Sequence, residues 1–229
     1  MMAEQNGTKQ KREFMRVKLI IFTGLAAVGL STPAAATNGY FSHGYGIKSQ
    51  GMGGVGIALP QDTIAAATNP AGMALIGDRV DAGLTWLRAG READISGNAG
   101  GSAVNGSYDP NGTRDFFIPE FGYNRMMTPE VSLGVSVYGN GGMETDYTTA
   151  IPLLGKTNAG VNLAQMFIAP TVAWKATPTQ TIGVSLNLAY QRFKAKGLQN
   201  FDSPAYSKSP GDVTNNGYDS STGAGLHIG

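Results

Sequence analysis

Val131-Ser132-Leu133-Gly134-Val135-Ser136-Val137-Tyr138 alternates without a fault. Val131, Leu133, Val135 and Val137 fall on one side, and Ser132, Gly134, Ser136 and Tyr138 on the other. A period of two with unlike faces predicts a β-strand that meets two different environments. Four further segments carry the pattern. In 79–88, Val80, Ala82, Leu84 and Trp86 oppose Asp81, Gly83 and Thr85. In 116–125, Phe117, Pro119, Phe121 and Tyr123 oppose Glu120, Gly122 and Asn124. In 165–175, Met166, Ile168, Val172 and Trp174 alternate with Gln165, Ala169, Thr171 and Lys175, and in 181–191 Ile182, Val184, Leu186, Leu188 and Tyr190 alternate with Gly183, Ser185, Asn187 and Gln191. A sixth strand starts near Thr222.

The connections discriminate further. About 25 residues rich in Gly, Asn and Ser separate the first two strands, and a short turn around Thr128-Pro129 joins the second to the third. Another stretch of about 25 residues, a turn at Thr177-Pro178 and a third long loop through 200–221 complete the order. Long outer loops alternating with tight periplasmic turns characterise bacterial outer-membrane barrels. A soluble β-sandwich also alternates, but it does not usually sort its loops by length. Trp86, Tyr123, Tyr138, Trp174 and Tyr190 lie near strand ends, where aromatic girdles sit.

The N-terminus sets the compartment. Lys9, Lys11, Arg12, Arg16 and Lys18 precede an apolar run over 19–30, followed by Pro33 and Ala34-Ala35-Ala36. This order predicts a cleaved signal peptide over 1–36, started from Met1 or Met15. The run falls short of the roughly 20 apolar residues a spanning helix needs. Of 17 Lys+Arg and 16 Asp+Glu, the leader holds five and two, leaving 12 against 14. That near-balance argues against nucleic acid as a partner. The absence of cysteine removes disulfides and thiolate metal sites. Glycine is 33 of 229 residues and hydrophobics only 41%. Such a chain suits a barrel in which one face of each strand meets lipid.

Residues 37–77 lack alternation and are rich in Gly and Ala, as expected of a plug inside a barrel. Within them, Asp62 precedes Thr63-Ile64-Ala65-Ala66-Ala67, and Asn69 before Pro70 has the chemistry of an N-cap followed by N1. The chain from about residue 38 onward resembles the FadL/TodX family of outer-membrane transporters for long-chain fatty acids and other hydrophobic compounds. The likeness rests on Ser49-Gln50-Gly51-Met52-Gly53-Gly54, Asn69-Pro70-Ala71, Ile118-Pro119, Gly139-Asn140-Gly141-Gly142 and Tyr190-Gln191-Arg192-Phe193-Lys194. It implies an all-β fold, a transmembrane antiparallel barrel of about 14 strands closed by an N-terminal hatch over 37–77. Residues 78–229 would supply the first five to six strands, with the rest outside this sequence.

The resemblance also implies roles. Substrate would land among the outer loops, enter the barrel and leave sideways beside a kinked third strand. Gly139, Asn140, Gly141 and Gly142 would form that kink, and glycines there permit a bulge. Asn69, Pro70 and Ala71 would hold the hatch against that strand. Arg192 would sit near a bound carboxylate, although Gly139 replaces a hydroxyl expected there. Parity with Tyr190 and Leu188 puts Arg192 toward lipid unless a bulge shifts the register. Leu198, Phe201 and Tyr206, with Ile151-Pro152-Leu153-Leu154, form apolar loop clusters suited either to ligand capture or to loop packing.

Two patterns imitate other chemistry. Gly51-Met52-Gly53-Gly54-Val55-Gly56, with Asp78 further on, matches the dinucleotide motif but lacks its βαβ context. His43 and His227 share no metal-ligand spacing. The expectation is a monomeric, passive outer-membrane channel with no cofactor and no enzymatic activity. Its partners would be a hydrophobic small molecule and the surrounding membrane lipid and lipopolysaccharide. The alternative is a barrel with a structural or adhesive role.

Overall fold

Antiparallel pairing, with every backbone group facing a neighbouring strand, lets a sheet sit in lipid. The computed structural model describes residues 39–97 and 104–229; the expected signal peptide lies outside them. The strands are β1 (Arg79–Arg88), β2 (Ala93–Ile95), β3 (Gly106–Tyr108), β4 (Asp115–Met126), β5 (Val131–Ala150), β6 (Asn158–Thr177), β7 (Gln180–Lys196) and β8 (Asp219–Ile228). Six of them form one continuous wall in the order β1-β4-β5-β6-β7-β8, each neighbouring pair antiparallel. β2 and β3 make a separate small hairpin inside the first long connection.

The wall is apolar outside and polar within. Val80, Leu84, Trp86, Phe117, Val172, Trp174 and Ile182 are half or more exposed, or nearly so, on its outer face. Asn124, Ser132, Ser136 and Ser185 are each 0% exposed on the inner face. In water this distribution would cost far more than the reverse; in a bilayer it is the stable one.

The N-terminal segment lies against the inner face. It contains α1 (Ile47–Gly51) and two 3₁₀ turns, η1 (Ala65–Ala67) and η2 (Pro70–Leu75). Ala65, Ala66, Met73 and Ala74 pack with Ala173 of β6. A second cluster joins Ile64 to Tyr138 of β5 and Ala169 of β6.

Two expectations are revised. The third strand does not end near 138, nor does the fourth begin near 165. β5 and β6 each run 20 residues, so the second long connection shrinks to 151–157. The reason is the glycine run. Gly139-Asn140-Gly141-Gly142 looks like a loop, yet a register shift between Gly139 and Gly141 absorbs it as a bulge and pairing resumes to Ala150↔Asn158.

Candidate functional site

Asn69 behaves as its chemistry predicts. Its side-chain oxygen accepts the Ala71 N–H at 3.1 Å and its amide donates to the Ile57 carbonyl at 2.8 Å. Pro70 fills N1 of η2, where no N–H is needed. The turn does not sit mainly on the kinked strand. It packs against β6 and β7, where a side chain at Gly183 would collide with the backbone of Pro70 and Ala71. The same 3₁₀ segment also touches β5, where Met73 lies against Gly134.

Other wall positions fasten the same segment. Asp81, paired with Arg79, accepts from both the N–H and the hydroxyl of Thr63 at 3.0 Å each. Ser136 donates to the Thr63 carbonyl. Asn124, fully buried, donates to the carbonyls of Met73 and Gly77 at 2.9 Å. Gly122 lies under Thr63, and any side chain there would meet the threonine. Burial pushes the Asp62 carboxyl up, with Asp81 adding to the effect and the Ile64 N–H opposing it.

Beside these anchors the wall is interrupted. β1 pairs with β4 as far as Arg88↔Asp115, and β5 with β6 to their ends. Between β4 and β5 the ladder stops at Phe121↔Val137. The N-terminal segment occupies the break. Phe41 bridges to Gly141, and the Gly142 N–H donates to the Tyr40 carbonyl at 3.0 Å. Tyr45 donates its hydroxyl to the Asn140 side chain at 2.8 Å. On the opposite bank, Glu120 of β4 accepts the N–H groups of Gly46 and Ile47 at 3.1 and 2.9 Å. Tyr45 packs tilted against Tyr138, and Tyr138 stacks on Phe167, with ring centroids 5.1 and 5.8 Å apart. Each bank of the break thus holds residues 40–47.

The bulge also arranges the wall above it. Asn140 is the extra residue, so β5 positions beyond it change parity relative to those below. Two outward rows result: Glu144–Asn162–Lys194, then Asp146–Gly160–Lys196, the latter with an ion pair of 2.6 Å. The inward row just below the first is Met143–Leu163–Phe193, and the one between the two is Thr145–Val161–Ala195. On β7 the outward face passes from Leu186, Leu188 and Tyr190 to Arg192, Lys194 and Lys196, while the inward face passes from Ser185 and Asn187 to Phe193 and Ala195. Low on the wall, lipid-facing residues are apolar and inner ones polar; high on it, the sense reverses. An apolar inner surface is therefore available above the N-terminal segment.

A line of amides joins the break to this surface. Asn140 donates to Gln165 at 3.3 Å, and Gln165 donates to Gln191. A cavity of about 190 Å³ lies at the far end, bordered by Gln165, Ala189, Gln191, Ser221 and Gly223.

Arg192 is a correction. β6–β7 pairing runs without a shift from Gly160↔Lys196 to Ile168↔Leu188, so Arg192 shares the outward face of Tyr190 and does not reach the interior. Leu198, Phe201 and Tyr206 lie in the 197–218 connection, with the Phe201 and Tyr206 rings edge to face at 5.5 Å. Asn200 ties this loop to the carbonyls of Pro152, Leu153 and Leu154. Tyr45, Asp81, Glu120, Asn124, Gln165 and Gln191 carry contacts that motif reading missed. The inward parity of the five strand residues was visible; which residue each would meet was not.

Comparison with known proteins decides the family. The model for outer membrane protein transport proteins (OMPP1/FadL/TodX) matches residues 30–227. The chain belongs to this family. FadL/TodX members are outer-membrane channel transporters rather than enzymes. Among solved structures, a TodX deltaS2S3 mutant monoaromatic hydrocarbon channel aligns at 18% identity and a TM-score of 0.53, covering 66% of this chain and 36% of its own. The toluene transporter TbuX of Ralstonia pickettii aligns at 17% and 0.56, covering 81% and 52%. The chain thus spans 36% and 52% of those two structures, and shares their fold. No curated protein matches it significantly.

Proposed function

We propose that the complete protein is a passive channel through which hydrophobic small molecules cross the outer membrane, leaving sideways between β4 and β5. The observation that carries this reading is the broken ladder at Phe121↔Val137, with residues 40–47 held across it. A molecule collected by the outer loops would rest on Met143, Leu163 and Phe193. It would pass into the bilayer when Tyr45 and Phe41 leave the β5 edge. No energy source is needed, because apolar solutes move downhill from water into lipid.

The similar solved structures are named for toluene and monoaromatic hydrocarbons, which makes toluene the first probe and oleate the second. Arg192 faces outward, so the described wall offers amides rather than a cation to a polar head. Uptake of labelled toluene and oleate should be measured in cells lacking their own transporter and carrying the complete gene, wild type or Asn69→Ala. Gene-dependent uptake that changes with Asn69→Ala supports a channel with a working hatch. Absence of uptake of both, with a folded barrel in the outer membrane, would overturn the transport reading in favour of adhesion by the loops.

A further inference from the structure

We propose that Arg192 and Lys194 form a binding site for the phosphate of a glycolipid in the outer leaflet, of the lipid A type. Both occupy outward positions of β7, directly beyond the apolar residues Leu188 and Tyr190. Successive outward residues on one strand are about 7 Å apart, so the two cations stand side by side just past the hydrocarbon. Both also lie over one ring: the Arg192 guanidinium carbon and the Lys194 Nζ are each 4.7 Å from the Tyr218 centroid. The ring gathers two like charges that would otherwise spread apart.

Their neighbour shows what is missing. Lys196, next along the same face, is neutralised by Asp146 at 2.6 Å. Among the described residues neither Arg192 nor Lys194 has an ion-pair partner. An arginine fork beside an ammonium suits a phosphate monoester, since the guanidinium gives paired donors and the lysine a point charge. The long connections 89–114 and 197–218 lie at this end of the wall, which is the outer side in such barrels. The anion available at that depth, on the lipid side, is a lipid headgroup. This site serves the barrel's seat in the membrane, so its failure would leave the transport reading intact.

The test uses the full-length protein, delipidated in neutral detergent, and native mass spectrometry with bis-phosphorylated lipid A. Parallel arms use dephosphorylated lipid A and inorganic pyrophosphate. Expected are one-to-one binding of phosphorylated lipid A, at least tenfold weaker binding by Arg192→Gln/Lys194→Gln, and unchanged binding by Lys175→Gln at the other end of the wall. Loss of affinity on dephosphorylation should match the loss in the double variant. Equal affinity of wild type and double variant for lipid A would overturn the proposal. So would pyrophosphate binding as tight as lipid A, which would make the site one for free phosphate. Should the double variant fail to give a heat-modifiable barrel, Arg192→Lys and Tyr218→Leu replace it. Partial weakening by the first, which keeps the charge and loses the fork, and weakening by the second support the site; no change with Tyr218→Leu overturns it.

Discussion

Tyr45 and Asn140 meet through the tyrosine hydroxyl, which donates to the Asn140 side chain at 2.8 Å and lies 3.3 Å from its carbonyl, joining a loop to a bulge. Tyr45→Phe keeps the ring against Tyr138 and removes only the hydroxyl's contacts with Asn140, at a cost of about 1 kcal/mol. Amide exchange over 40–47 should quicken several-fold while the melting temperature of the barrel stays unchanged; unchanged exchange would remove Tyr45 from the latch. Gly122 tests a different contact. Gly122→Val sets a side chain against Thr63, an overpacking that costs roughly 1–3 kcal/mol. Limited proteolysis should then cut residues 47–77 in a barrel that still folds. Asp62 gives a pH dependence. Its carboxyl is raised in the folded protein, so its ionisation opposes folding. The penalty is absent below the ordinary value of 3.8, grows as pH rises from there to the raised folded value, and is full above it. Asp62→Asn keeps an acceptor for the Ile64 N–H and should flatten that acid-range change in N-terminal segment protection.

At the scale of the element, β5 decides most. Deleting Asn140 leaves Gly139 opposite Met166 and Gly141 opposite Gln165 with nothing between them. The strand straightens, every residue above keeps its face, and Tyr45 loses its partner. Toluene uptake should fall at least several-fold with the barrel still heat-modifiable; undiminished uptake would mean the bulge is no part of the route. The same strand shows how far the sequence could be read. Val131 to Tyr138 announces itself, because lipid on one side and a packed interior on the other impose strict alternation. Above Asn140 the signal fades. There the outer face has left the hydrocarbon, and Glu144, Asp146 and Asn162 look like loop residues until their cross-strand partners are known. The capping role of Asn69 was legible because it is local. The partners of Asp81, Glu120 and Asn124 were not, since each reaches a residue far away in sequence.

For the molecule as a whole, placing the wall in lipid makes its outer belt intolerant of charge. Leu186→Arg, amid the exposed apolar run of β7, should cost about 2–4 kcal/mol near the bilayer midplane. The yield of folded barrel should drop accordingly, whereas Lys194→Ala should leave it unchanged; equal yields would misplace the belt. The inner surface carries a complementary constraint. Gly183 is cut to the backbone of Pro70 and Ala71, Gly122 to Thr63, and the β5 edge to Tyr40. Lining and occupant are therefore cast from one mould. A chimera that joins the first 77 residues of a distant relative to this barrel would bring the wrong key to the lock, however well either half folds alone, and diversification in such channels must proceed by paired change on both surfaces.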